Sequence, residues 1–307
     1  MITRVTTTTM MNSASHNMRS AASELGRLQE RASTQKTIAR PSDDPAGTAA
    51  AMRVRSEQRA NAQYARNIAD GKEWLTMVDS TLSTVTDLLR KAGDLALQGS
   101  NDGLMSLAAK AAIAVELGTI RDSLLSAANT EYLGRNIFAG NADVGYAFAR
   151  PTTPGGPYVS AVGAPAQPVE RRIAEGVKVT VDGDGLAIFG IRSGGGTSMF
   201  AEIDAVMAAL NGDPAKMPVS GHLVGLADRL TAVVANQASS GARQATLIAA
   251  ADTQLTRKVD LESQRARIED VNLGEVILEL KMQETVYQAS LAVTARALQP
   301  TLMDFLR

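Results

Sequence analysis

Both ends of the chain carry a stripe of apolar residues spaced alternately three and four positions apart. The stripe near the start consists of Met11, Ala14, Met18, Ala21, Leu25, Leu28 and Ala32. The stripe near the end consists of Leu273, Ile277, Leu280, Glu284, Tyr287, Leu291, Thr294, Leu298, Thr301 and Phe305, of which seven are apolar or aromatic. This spacing predicts the contact face of a helix that packs against another helix.

We assign the following residues of the two stripes to an assembly seam: Met11, Met18, Ala21, Leu25, Leu28, Leu273, Ile277, Leu280, Tyr287, Leu291, Leu298 and Phe305. Because chain ends usually fray, apolar faces at both ends indicate that the ends pair with each other or bind neighbouring molecules. The polar Glu284 could set the register by pairing with a basic residue of the first helix; an exposed edge is the other interpretation.

Composition favours long helices over an enzyme core. Apolar residues make up 45% of the chain but aromatic residues only 4%, so the apolar content is mostly Ala, Leu and Val. The net charge of -1 argues against nucleic acid as a partner. The absence of cysteine excludes disulfides and thiol nucleophiles, and no run is long and apolar enough for a membrane span. The first nine residues lack the apolar core of a secretory signal, so we expect a different export route.

A proline-bounded segment predicts a joint after the first helix, which we expect over about residues 10–36. The domain joint consists of Arg40, Pro41, Ser42, Asp43, Asp44 and Pro45. The two prolines disfavour helical geometry at the residues before them. Asp44 followed by Pro45 is typical of a helix start, because a side-chain acceptor precedes a residue with a preset φ angle.

The next helix is predicted to run from Pro45 to Gly99, with a continuous stripe on one face. This stripe consists of Tyr64, Ile68, Gly71, Leu75, Val78, Leu82, Val85, Leu89, Ala92 and Ala96. Such a helix is about 75–80 Å long at about 1.5 Å per residue. A compact ball of this chain length is roughly 50 Å across, so we expect an elongated rod. Another helix is predicted over about 104–133.

The segment 150–200 interrupts the helical pattern with prolines and glycines, which predicts a small β-rich insertion. Val177–Val181 alternates like a strand, residues 182–185 can turn the chain, and residues 186–189 can return as a second strand. A short helix around 200–210 follows, and helical sequence continues from near Val219 onward. The fold class is therefore mainly α: an elongated rod of long antiparallel helices, with paired terminal coiled-coil helices and a small β-rich inserted domain.

The domain organisation follows from these boundaries. Residues 1–40 and 271–307 form a terminal coiled-coil domain, residues 41–149 and 201–270 a helical rod domain, and residues 150–200 the inserted domain. We expect no catalytic residue, no metal and no cofactor. The pair Asp43 and Asp44 is better explained by capping than by acid–base chemistry. His16 and His222 have no clustered ligands nearby in sequence, and residues 182–185 lack the spacing of a calcium loop.

Several motifs resemble the flagellin-like axial proteins of the bacterial flagellum. The matching segments are Arg40–Gly47, Tyr64, Arg66–Ile68, Asp70–Gly71, Trp74–Leu75, Asp79–Ser80, Arg135–Gly140, Arg267–Leu273 and Leu298–Leu306. The segment Phe138–Gly140 and the sequence Leu298–Pro300 resemble the hook-associated members of the family more than flagellin itself.

This resemblance implies a structural subunit that polymerises into a ring between hook and filament and supports motility. It implies export through the flagellar type III channel to the extracellular flagellum. The implied partners are further copies of itself, the first hook-associated protein, flagellin and a flagellar export chaperone, with no nucleic acid and no membrane. A flagellin-type filament subunit is the alternative within the family. An enzyme or ligand-binding module in the insertion is a third possibility, which no set of acids, bases and nucleophiles supports.

Overall fold

The computed structural model describes residues 7–101, 105–142, 145–152, 158–160, 167–190, 198–212 and 218–298. Its helices are α1 (Thr7–Thr34), α2 (Pro45–Gly99), α3 (Leu107–Ala128), α4 (Gly185–Phe189), α5 (Met199–Leu210), α6 (Val219–Glu269) and α7 (Leu273–Leu298). Its strands are β1 (Glu131–Tyr132), β2 (Arg135–Asn136), β3 (Phe148–Ala149), β4 (Val159–Ser160), β5 (Glu170–Ala174) and β6 (Val177–Thr180). Consecutive strands pair antiparallel as β1–β2, β3–β4 and β5–β6. The predicted mainly α class is confirmed.

The described chain divides into two compact units. Unit 1 comprises residues up to Ala60 and from Arg257 onward, and unit 2 comprises Asn61–Thr256. In unit 1, α1 and α7 run antiparallel, because Lys36 bridges to Asp270, Arg31 lies 3.9 Å from Glu279, and Gln283 bonds to Ala21. The expected pairing of the terminal helices is therefore present within one molecule.

In unit 2, α2 supplies one side of the apolar core. Of its predicted stripe, Ile68, Leu75, Val78, Leu82, Val85, Leu89, Ala92 and Ala96 are all at most 2% exposed. The side chain of Asn61 bonds to Gln254, and that of Gln237 to Asp79, so the facing parts of α2 and α6 run antiparallel. The stripe predicted from the 3–4 spacing is thus confirmed as a core face.

The third helix is shorter than predicted because Asn129 ends it. The Asn129 side-chain oxygen accepts hydrogen bonds from the backbone N–H groups of Ala147 and Phe148, at 2.8 and 2.9 Å. The chain then forms the β1–β2 hairpin, where Leu133 and Gly134 have positive φ angles of 52° and 74°. The predicted helix over 104–133 is therefore wrong beyond Ala128.

The hairpin predicted around residues 182–185 is also wrong. Strand β6 pairs with β5, which precedes it, and the chain turns at Gly176 with a φ of 70°. Residues 186–189 lie within the short helix α4 because the Asp184 side chain caps it, accepting from the Ala187 N–H at 3.0 Å. A β-carbon at Gly183 would lie 2.8 Å from the Phe138 ring, so this turn packs directly on the aromatic core.

Unit 2 also contains a buried carboxyl group. Asp182 is 6% exposed, and burial raises its pKa to about 6, although backbone N–H donors and Arg243 oppose the shift. Arg243 itself donates to the Asp182 backbone carbonyl at 3.0 Å. Since an acid with a raised pKa binds its proton more tightly when folded, unit 2 loses stability as pH rises from about 4 through about 6.

We expect Asp182→Asn to remove this pH dependence. A shift from 3.8 to about 6 corresponds to about 3 kcal/mol of unfolding free energy between pH 4 and 7. Trp74 is the chain's one tryptophan and lies in unit 2, 2% exposed, so its fluorescence during urea unfolding reports this unit. The control is Asp87→Asn, whose side chain is 75% exposed. Parallel stability profiles for the wild type and Asp182→Asn would contradict the assignment.

Candidate assembly surface

The N-terminal stripe forms the face of α1 that is turned toward α7. Ala21 and Leu28 are 7% and 3% exposed, and Ala14, Met18, Leu25 and Ala32 are half-buried. Met11, at the start of the stripe, is 44% exposed. The pattern arises because the 3–4 spacing keeps these residues on one side of the helix. Their role in contacts with other subunits remains a prediction.

The covered face of α7 is rotated relative to the predicted stripe. Val276 is buried, and Leu280, Gln283, Tyr287, Ser290 and Thr294 are half-buried. The predicted members Leu273, Ile277 and Leu291 are 40–48% exposed. At about 100° per residue, the observed face lies about 50° from the centre of the predicted stripe. Leu280, Tyr287 and Thr294 belong to both, whereas the Leu298 side chain and Phe305 lie outside the described residues.

Glu284 does not pair with an arginine of α1. It is half-buried and lies 2.8 Å from Lys281 of its own helix. Arg27 pairs with Glu24 within α1, and Arg31 approaches Glu279 instead at 3.9 Å. The register of the helix pair is therefore set by other contacts, among them the bond from the Gln283 side chain to the Ala21 carbonyl at 3.2 Å.

A second apolar stripe on α7 has no cover within the described chain. We call it the outer face of α7 and define it by Leu278, Met282, Val286 and Val293, which are 63%, 62%, 50% and 63% exposed. These residues lie about 115° around the helix from the face that contacts α1. A helix with apolar residues on two sides normally buries both sides, so the contact with α1 covers only part of the apolar surface of α7.

The domain joint folds as the sequence predicts at its capping residues. The Asp44 side chain accepts a hydrogen bond from the Gly47 N–H at 2.9 Å, and Pro45 is the first residue of α2. The Asp43 side chain accepts from the Arg40 N–H at 3.0 Å. Both carboxylates are thus engaged by backbone groups, which agrees with capping and not with acid–base chemistry.

Beside this joint, the connection that follows α1 hydrogen-bonds to the connection between α6 and α7. The Thr37 N–H donates to the Glu269 carbonyl at 2.7 Å, and the Val271 N–H donates to the Gln35 carbonyl at 3.2 Å. We call this pairing of residues 35–37 with residues 269–271 the clasp. It separates α6 from α7 near the domain boundary predicted between residues 270 and 271, because backbone groups there bond across to the first connection.

An ion pair between the half-exposed Arg55 and the buried carboxylate of Glu269 supports the clasp. Arg55 donates to both carboxylate oxygens of Glu269 at 2.7 Å, and Lys36 lies 4.0 Å away. The Glu269 side chain is only 7% exposed. Its hydrogen bonds from Arg55 hold the pKa of this carboxyl below its usual range. The sequence interpretation missed Arg55, although Glu269 lies in a segment that resembles the family.

The joint and the clasp line an open cavity of about 230 Å³ in unit 1. Its apolar lining includes Ile38, Ala51 and Met52, and Lys36, Arg40 and Arg55 bring positive charge to it. Small-molecule sites usually span about 300–1,000 Å³, so this cavity is of a size for one or two side chains. Among the described residues, no group of three or more His, Asp or Glu side chains could hold a metal ion.

The chain is similar to known proteins of the bacterial flagellum. Residues 5–143 match the bacterial flagellin N-terminal helical region. Flagellar hook-associated protein 3 of Salmonella typhimurium is 26% identical, and that of Escherichia coli K12 is 29% identical, each over 94% of both chains. Over nearly its whole length the chain is thus similar to hook-associated proteins of the flagellum. A flagellar hook-associated protein of Vibrio parahaemolyticus has the same fold, with a TM-score of 0.66 and 23% identity over 74% of this chain and all of that one.

These relatives are structural proteins of the flagellum and not enzymes, which agrees with the structural role that the sequence indicated for this chain. The similarity implies self-association and contact with other flagellar components. In the described part of the chain, the search for a helix of sufficient length and hydropathy to cross a membrane found none.

Proposed function

We propose that the chain is an adaptor that polymerises into a ring joining the flagellar hook to the filament, and that it supports motility. The apolar outer face of α7 carries this proposal. It is exposed on a helix that already packs against α1, so a neighbouring subunit is required to cover it. Similarity to hook-associated protein 3 over 94% of both lengths supports the position at the hook–filament junction.

The free energy available from this surface supports association when each subunit contacts more than one neighbour. Covering the four outer-face side chains contributes roughly 6–12 kcal/mol, at about 1.5–3 kcal/mol each. Association costs an estimated 4–15 kcal/mol or more in lost freedom of motion, so one such contact is weak. A closed ring gives every subunit two neighbours, which makes the assembly stable although a single contact is not.

The proposed organisation places residues 1–40 and 271–307 in an inner coiled-coil layer, residues 41–149 and 201–270 in a helical layer around it, and residues 150–200 outermost. The proposed neighbours are the first hook-associated protein on the hook side and flagellin on the filament side. An export chaperone holds the C-terminal helix before passage through the type III channel. The assembly seam of the two terminal stripes contributes contacts in the inner layer.

The number of copies per flagellum tests the adaptor against a filament-forming flagellin. We expect fluorescently labelled copies, expressed from the native locus, to form one focus at the hook–filament boundary with a ring-sized number of molecules. Counting by stepwise photobleaching measures this number, and labelled flagellin in a parallel strain supplies the calibration. Label along the whole filament, with thousands of copies, would contradict the adaptor and support the alternative.

A further inference from the structure

The cavity at the joint has an uneven charge. Lys36, Arg40 and Arg55 contribute three positive charges, and Glu269 is the acidic residue of its lining. Arg55 occupies both oxygens of Glu269, and Lys36 forms only a longer ion pair with the same carboxylate, at 4.0 Å. Arg40 is 70% exposed and only approaches Glu30 at 3.7 Å. A group entering the cavity is therefore favoured if it carries negative charge.

The rest of the lining favours a ligand that has both an apolar group and a hydrogen-bond acceptor. Met52 is 64% exposed at the cavity, beside the apolar side chains of Ile38 and Ala51. The Thr48 hydroxyl is buried in the lining and has no hydrogen-bond partner. A buried polar group without a partner is unfavourable, and an incoming acceptor would satisfy it. The complementary ligand is thus a carboxylate between large apolar side chains.

This chain contains such a sequence beyond the described part of α7. Residues 302–306 read Leu-Met-Asp-Phe-Leu, with Asp304 between Met303 and Phe305. The negative charge of Asp304 suits the positively charged lining, and the apolar residues on either side of it suit the apolar lining. The cavity accommodates one or two side chains, which would be those of Asp304 and Phe305.

The segment cannot reach the cavity of its own molecule. Helix α7 begins at Leu273, just after the clasp, and runs 26 residues away from it, which is about 38 Å at about 1.5 Å per residue. Phe305 lies seven residues past Leu298 in the sequence. Seven fully extended residues span at most about 25 Å. The donor must therefore be another molecule.

We infer that residues 302–306 of one copy dock into the joint cavity of a second copy, with Asp304 facing Arg40 and Lys36. This inference rests on the proposed self-association and specifies one of its contacts. The contact is head-to-tail, because the far end of α7 on one subunit meets the start of α7 on the next. Contacts of this kind close into rings or continue as helical arrays, according to the rotation between subunits.

A labelled peptide of residues 298–307 tests the contact. Its binding to the full-length chain is measured by fluorescence anisotropy, at chain concentrations below those at which the chain self-associates. We expect saturable binding that weakens about fivefold or more with Arg40→Glu in the chain or with Asp304→Lys in the peptide. The reversed pair, Arg40→Glu with Asp304→Lys, is expected to recover most of the affinity. Arg53→Glu, an exposed change on α2 outside the cavity, is the matched control and leaves binding unchanged.

Equal binding by the wild type, Arg40→Glu and Arg53→Glu chains would overturn the inference, and so would the absence of saturable binding. Circular dichroism of each variant verifies folding. Sedimentation of the unlabelled chain separates the two proposals: a chain that self-associates but does not bind the peptide contradicts only the docking contact. A chain that does not self-associate at any accessible concentration contradicts the proposed function.

Discussion

Replacing Leu278 and Val286 of α7 together by Asp is expected to abolish self-association and filament attachment. Both side chains lie on the outer face and are 63% and 50% exposed, so the substitutions leave the α1 contact intact. In an assembly, the two carboxylates would be buried without partners, and each such group costs several kcal/mol. Sedimentation velocity of the full-length chain measures the association, and swarming of cells with the variant measures the consequence.

The control for this experiment is the double variant Gln288→Asp and Ala292→Asp. It adds the same two charges to exposed positions of the same helix, outside the outer face. We expect it to assemble normally, since its new charges remain in water. Normal assembly of the Leu278→Asp, Val286→Asp chain would show that α7 does not use this face. Secretion of both variants, detected in the medium, separates an assembly defect from an export defect.

Replacing Arg55 by Met is expected to open the clasp. Glu269 would remain 7% exposed, with Lys36 at 4.0 Å and the charge of Arg265 as its remaining support, so a buried carboxylate loses its principal partner. The expected cost is about 1–3 kcal/mol, which corresponds to a roughly 5- to 150-fold loss of amide protection at Thr37 and Val271. Hydrogen exchange detected by mass spectrometry or NMR measures both amides, whose carbonyl acceptors are Glu269 and Gln35.

The acid response provides a second measure of the same ion pair. Because Arg55 holds the Glu269 pKa below its usual value, the pair stabilises the clasp above the unfolded pKa near 4.5, and this contribution is lost as pH falls through the lowered pKa. The Arg55→Met chain is expected to lack this acid-dependent loss. Arg59→Met, an exposed change on the same helix, is the control. Unchanged protection of Thr37 in Arg55→Met would contradict the role of the pair.

The burial of the long stripe on α2 was predictable because the spacing places all of its apolar residues on one face of the helix. From Ile68 to Ala96 the apolar residues occupy one face of a regular helix, and the opposite face is polar, so burial could follow only that face. The α2 start was equally clear, since Asp44 and Pro45 act through local hydrogen bonding and a fixed φ angle. Where the physics is local, the sequence interpretation agrees with the structure.

The failures arise where a segment has two physically reasonable states. Residues 186–189 are short and apolar, and a strand or a buried helix turn would both suit them; the Asp184 cap and the packing against Phe138 favour the helix. Helix α7 is apolar on more than one side, so spacing alone could not identify the face that contacts α1. Only the position of α1 decides between Leu273 and Val276.

The sequence by itself determined the helical class, the joint at Asp44 and Pro45, the apolar stripes of the terminal helices and the resemblance to flagellar axial proteins, since each depends on residues within a few turns. The tertiary structure alone decided which face of α7 remains exposed, and that Arg55 meets Glu269 across 214 positions of sequence. Contacts of that separation depend on how whole helices pack, and the residues that make them are ordinary in their local sequence.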